Sequence, residues 1–108
     1  MIVRSDYSSG HLRLSLSGEL DHASSRKTMQ QIEDALDRYL PKICTLDLSE
    51  LSFMDSSGIA VFFRAKRRTE DGGGALFLAN PAPQPDRVIS AAGVGRWITV
   101  QRGKGGKK

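Results

Sequence analysis

The chain has 108 residues, 39% hydrophobic and 26% charged, enough for one core and too few for two domains. No run approaches the ~20 apolar residues of a membrane span, Met1-Ile2-Val3-Arg4-Ser5-Asp6 lacks a signal-peptide core, and a single cysteine, Cys44, excludes an internal disulfide. The formal charge of +4 sits at one end: Arg102, Lys104, Lys107 and Lys108 occupy the last seven residues without an acid, so residues 1–101 carry 12 basic and 12 acidic side chains. A reducing cytoplasmic setting is the expectation.

In chain order, Ile2–Tyr7 predicts an edge strand and Ser8-Ser9-Gly10 a turn. His11–Ser17 alternates polar and apolar, so Leu12, Leu14 and Leu16 should face a core and the two segments should pair as a hairpin. Gly18-Glu19-Leu20-Asp21 breaks the alternation, and Asp21 is a candidate N-cap, with Ser24 and Ser25 as rivals. Met29, Ile32, Leu36 and Tyr39 or Leu40 recur at helical spacing, with Arg26, Lys27, Glu33, Asp34 and Asp37 on the wet side and Pro41 at the exit.

Ile43–Leu48 predicts a central strand in which Cys44 is an inert core thiol. After Gly58, an apolar set of Ile59, Val61, Phe62, Phe63 and Ala65 predicts a second helix whose end, Lys66-Arg67-Arg68, complements the helix dipole. Gly72-Gly73-Gly74 is a loop without the Gly-Lys-Ser/Thr ending of a phosphate loop. Ala75–Ala79 reads as a strand covered on both faces, Pro85–Ala92 as a short helix stopped by Gly93, and Arg96–Val100 as a last strand with Trp97 in a packing role. The order β-β-α-β-α-β-α-β predicts one α/β domain over residues 1–101, with a mixed, mostly parallel sheet of about five strands. Residues 102–108 read as a disordered basic tail. It has no interleaved aromatics, and neither direct nucleic-acid binding nor membrane association is expected.

The densest polar cluster between hydrophobic segments is Asp55-Ser56-Ser57-Gly58. It falls where a central strand gives way to a helix, a place where open α/β sheets meet ligands and partners. Ser56 and Ser57 also suit plain helix capping, and Gly58 a tight turn. Asp47 stands mid-strand with no second acid at a matching spacing and reads as structural. His11 and His22 lie far from any Cys or Asp cluster, so neither metal nor cofactor is expected. Position 55 is Asp where a nucleophile elbow needs Gly, so no enzyme is expected.

Ser17-Gly18-Glu19-Leu20-Asp21-His22 and Leu46-Asp47-Leu48-Ser49-Glu50-Leu51-Ser52-Phe53-Met54-Asp55-Ser56-Ser57-Gly58-Ile59 resemble the two signature stretches of the STAS domain family, in its anti-sigma factor antagonist branch. The resemblance implies a STAS-type fold and a partner-switching role in bacterial transcription regulation. Such antagonists bind an anti-sigma factor that is also a serine kinase, and so release a sigma factor. The kinase phosphorylates the second serine of the Asp-Ser-Ser-Gly motif, here Ser57, and a phosphoserine phosphatase resets it. The partner surface implied here is Asp21, His22, Asp55, Ser56, Gly58 and Ile59, on a monomer. An alternative within the family is a STAS subunit regulating a membrane lipid or anion transporter. The chain departs from the branch pattern at Arg64-Ala65-Lys66, where relatives tend to carry Gly-Arg-Tyr, and at Asn80-Pro81, where Ser-Pro is usual.

Overall fold

Leucines at every second position of one strand set the inner face of the sheet. In the computed structural model, which describes residues 1–102, the chain runs β1 (Ile2–Ser8), β2 (His11–Leu20), α1 (His22–Tyr39), β3 (Ile43–Met54), α2 (Ser56–Asp71), β4 (Ala75–Ala79), α3 (Pro83–Ala91), a 3-10 turn (Val94–Arg96) and β5 (Thr99–Gln101). The five strands lie side by side in chain order. β1 pairs antiparallel with β2 through the tight Ser9-Gly10 turn, and every other pair is parallel. Parallel neighbours cannot be joined by a hairpin, so each needs a crossover; α1, α2 and α3 are those crossovers. The expected fold class is the observed one.

Leu12, Leu14 and Leu16 are fully buried and join Ile32 and Leu36 of α1, Leu46 and Leu48 of β3, Phe62 of α2 and Leu78 of β4 in one core. Ile89 of α3, Val94 and Ile98 close it. Each such side chain removes roughly 1.5–3 kcal/mol worth of apolar surface from water. Cys44 is buried among them, and burial pushes its thiol pKa up to about 12.

Several boundaries differ from the sequence expectation, each for a physical reason. β2 does not stop at Ser17. Register shifts between Ser15 and Ser17 and between Gly18 and Glu19 absorb the broken alternation, and the strand continues to Leu20. Gly18 sits at φ 115°, a backbone that L side chains rarely adopt. β3 runs beyond Leu48 to Met54 because this longer β2 pairs with it along Glu50–Met54. α2 starts at Ser56, before Gly58, and passes the basic residues to end at Asp71. α3 starts at Pro83, whose missing N–H costs nothing at the first helical position. The last strand is shorter than expected: Arg96 lies in the 3-10 turn, and Trp97 follows it 65% exposed, so it does not pack in the core. Arg102, read as the start of the tail, is tied to α3 through Asp86, Nη2 to Oδ1 at 2.6 Å. Residues 103–108, where the rest of the disorder expectation falls, lie outside the described residues. No helix of the described residues is long and apolar enough to cross a membrane.

Candidate functional site

β2 and β3 are parallel neighbours that end in step, Leu20 opposite Met54. The next residue in each is an aspartate, and each aspartate caps a helix, so α1 and α2 begin side by side at one edge of the molecule. At the start of α1, Asp21 Oδ1 accepts from the Ser24 backbone N–H at 3.0 Å, and the Asp21 N–H donates to Ser24 Oγ at 3.1 Å. Ser24 Oγ also donates to the Glu19 carbonyl at 2.9 Å. This is a closed capping box, with Ser24 in the place usually held by Glu or Gln. The Ser24 backbone and side-chain hydrogen bonds hold the Asp21 carboxyl below its ordinary pKa.

At the start of α2 the arrangement is open. Asp55 Oδ1 accepts from the Ser57 N–H at 2.8 Å, while Oδ2 accepts from the His22 N–H at 3.3 Å. One carboxylate therefore caps its own helix and reaches the first turn of the neighbouring one. The Asp55 N–H donates to the Leu20 carbonyl at 3.3 Å, which extends the β2–β3 ladder to the cap. The third helical residue is Gly58, so no side chain reaches back to close a box.

Gly58 is buried, and a Cβ there would stand 2.7 Å from Met54 Cε and 3.1 Å from Leu20 Cδ2. Its role is close approach of α2 to the strand ends rather than a positive-φ turn. Asp21, His22, Asp55, Ser56, Ser57, Gly58 and Ile59 are brought to the same end of the molecule. Ser56 and His22 are exposed, Asp21, Asp55 and Ser57 are half-buried, and Ile59 is half-buried against the core. Ser56 and Ser57 are the first two residues of α2 and not its cap.

Three neighbours of the cluster went unread in the sequence. Gln84 Oε1 accepts from the Met54 N–H at 2.9 Å, and its Nε2 donates to the Met54 carbonyl at 3.0 Å. One side-chain amide thus stands in for a strand on the β3 edge that β4 leaves, since β4 pairs only as far as Asp47–Ala79. Phe53 is 40% exposed just before the cluster. Ser57 lies at one end of a groove of about 510 Å³ between α1 and α2, with Met29 and Val61 among its walls. A Gln between Pro83 and Pro85 of a proline-rich stretch and a Phe at a bulged strand end carry no local signal that could have assigned them these positions.

Asp47 has the structural role expected of it. Burial raises its carboxyl, but the Ser49 N–H at 3.0 Å and Arg13 Nη2 at 2.7 Å outweigh burial and hold the pKa below the ordinary value. Among the described residues, no group of three or more His, Cys, Asp or Glu is placed to hold a metal ion. The arrangement offers hydroxyls and a half-exposed carboxylate on a rigid platform, which suits recognition by another surface.

The STAS domain family model matches residues 4–104. The anti-sigma F factor antagonist of Lysinibacillus sphaericus is 34% identical over 83 residues, covering 77% of this chain and 71% of that protein. Its counterpart in Paenibacillus polymyxa is 30% identical over 92 residues, covering 85% of this chain and 79% of that one. The solved structure of the anti-sigma factor antagonist SpoIIAA in its unphosphorylated form superposes with a TM-score of 0.76 at 26% identity, over 96% of this chain and 91% of that one. With a five-stranded sheet crossed by three helices and two capped helix starts at its edge, the chain belongs to the STAS domain family.

Proposed function

We propose that this protein is an anti-sigma factor antagonist, a regulatory binding module rather than an enzyme, that engages an anti-sigma factor serine kinase through the starts of α1 and α2. Phosphorylation of Ser57 switches the contact off, and a phosphoserine phosphatase restores it. The observation that carries this reading is the place of Ser57: on the first turn of α2, held by its backbone to Asp55, half-buried at the end of a groove and next to the exposed Ser56, with the exposed His22 bound to the same Asp55 carboxylate. The homologues named as antagonists support the same role.

The chemistry of the switch is compatible with the fold. The γ-phosphoryl of the partner's MgATP would pass to Ser57 Oγ, forming an O–P bond as the β–γ bond breaks, with the hydroxyl proton released. The product carries about −1.5 to −2 charges. At a helix N-terminus that charge is tolerated by the backbone N–H groups and the dipole. Its cost falls at the partner surface, through bulk, desolvation and repulsion with Asp55 or partner carboxylates.

Intact-mass spectrometry after incubation with cell extract and MgATP tests the reading. Wild type gains one phosphate and Ser57→Ala gains none. Absence of phosphate with active kinases in the extract would overturn the switch. Ser57→Asp is expected to weaken the kinase complex about a hundredfold, roughly 2.7 kcal/mol, with an unchanged unfolding midpoint.

A further inference from the structure

The walls of the α1–α2 groove are laced by ion pairs. Arg64 Nε meets Glu33 Oε2 at 3.3 Å, Arg68 Nη2 meets Asp37 Oδ2 at 2.7 Å, and Arg68 Nη1 also meets Glu33 at 3.3 Å. The helices return from the ends of parallel strands, so they run in the same direction and their residues keep a constant offset across the groove. Arg68 and Asp37 are 31 positions apart, and the same spacing relates Arg64 to Glu33. Toward the helix starts, that spacing next relates Ala60 to Met29, an uncharged rung, and then Ser57 to Arg26, and all four residues line the groove.

The polarity of this first rung is reversed. In the two lower rungs the cation stands on α2 and the acid on α1. At the mouth the cation stands on α1 and α2 presents a neutral hydroxyl. Arg26 is exposed and forms no ion pair among the described residues.

We propose that Arg26 is the intrachain cation for a phosphomonoester on Ser57, so that phosphorylation adds a third charged rung between α1 and α2. The inference rests on the proposed modification of Ser57. A guanidinium suits this ligand because its planar fork meets two phosphate oxygens at once. The lower rungs do not compete for the phosphate: Arg64 and Arg68 already share Glu33, and Arg68 holds Asp37 as well. The modification is then read twice, as a charge on the partner surface and as a brace between the two helices that form it.

The test uses the full chain with phosphoserine incorporated at position 57 during synthesis, followed by phosphorus NMR across pH. The phosphate's second ionisation is expected about 0.5 pH unit lower in wild type than in Arg26→Ala, roughly a threefold stronger hold on the dianion. Arg26→Lys should recover part of the shift, and added salt should shrink it. Arg67→Ala, which removes an exposed cation that does not line the groove, should titrate like wild type. Identical titration of wild type and Arg26→Ala, or an equal shift in Arg67→Ala, would overturn the pairing. Because no kinase is used, that outcome leaves the proposed switch standing. Conversely, an extract that fails to phosphorylate Ser57 leaves the pairing measurable.

Discussion

The starts of α1 and α2 are built from the same parts and end up chemically different. Each follows a parallel strand, each is capped by an aspartate in extended backbone, and the two lie side by side. At α1, Ser24 returns a hydrogen bond to the cap and the end is closed. At α2 the corresponding residue is Gly58, and its position against Met54 and Leu20 leaves no room for a side chain that could do the same. Tight packing of α2 on the strand ends and an open helix start are therefore one feature. The open end is where Ser56 and Ser57 remain available to another surface. A helix start can be stabilised from within or left to recognise, and here a single glycine decides which.

That contrast can be broken most strongly at Gly58. Gly58→Val forces Met54 and Leu20 aside and is expected to cost about 2–3 kcal/mol in urea unfolding, as overpacking does. Gly58→Ala should cost less, because the Met54 methyl is the far end of a flexible chain. An unchanged midpoint for the valine variant would show that the strand ends yield and that the glycine is there for another reason.

Asp55→Ala removes a cap and the tie to His22, and about 1–2 kcal/mol of stability should go with it. Asp21→Ala, at the closed end, should cost less, since Asp21 serves one helix only. A larger loss at Asp21, measured by the same unfolding, would mean that the closed box outweighs the bridge. Gln84→Ala leaves the Met54 N–H and C=O without their partner, and about 1 kcal/mol is expected. Hydrogen exchange should show the Met54 amide losing protection while β2 amides keep theirs.

The smallest effect is on the acid limb of stability. Asp21 and Asp47 both have carboxyls below their ordinary value, so the unfolded chain takes up protons first as pH falls. The stability they contribute is complete at neutral pH. It declines below about pH 4, where unfolded carboxylates protonate, and is lost once pH passes below the folded values. Asp21→Asn should flatten the first part of this decline, and an unaltered acid limb would remove Asp21 from the account.

Elements with a strong local period were legible from the residues alone. Leu12, Leu14 and Leu16 declared β2, Met29, Ile32 and Leu36 declared the inner face of α1, and Ala75–Ala79 declared β4 to the residue. Boundaries at bulges were not legible. Between Ser49 and Met54 the only alternation is the short Glu50-Leu51-Ser52-Phe53, of which Leu51 is buried and Phe53 exposed, and the strand persists there because β2 offers it a ladder. Trp97 misled for a related reason: an aromatic in a short apolar run reads as core, and only the 3-10 turn before it shows it facing solvent. For the site, the polar cluster and its family resemblance singled out Asp55-Ser56-Ser57-Gly58, while Gln84 and the groove did not register, because their partners lie 30 or more positions away.

The amino-acid sequence by itself determined which segments become strands and helices, that Asp21 could cap the first helix, and that the polar cluster would fall between a strand and a helix. Those properties depend on neighbours within a turn or two, through side-chain period and cap chemistry. Only the tertiary structure decided that the two caps would stand next to each other, that Gly58 would seal against Met54, and that Arg64 and Arg68 would face Glu33 and Asp37 in a groove that Ser57 and Arg26 also line. Those contacts depend on the in-step endings of β2 and β3 and on the shared direction of the two helices, and such long-range register is set when the core packs.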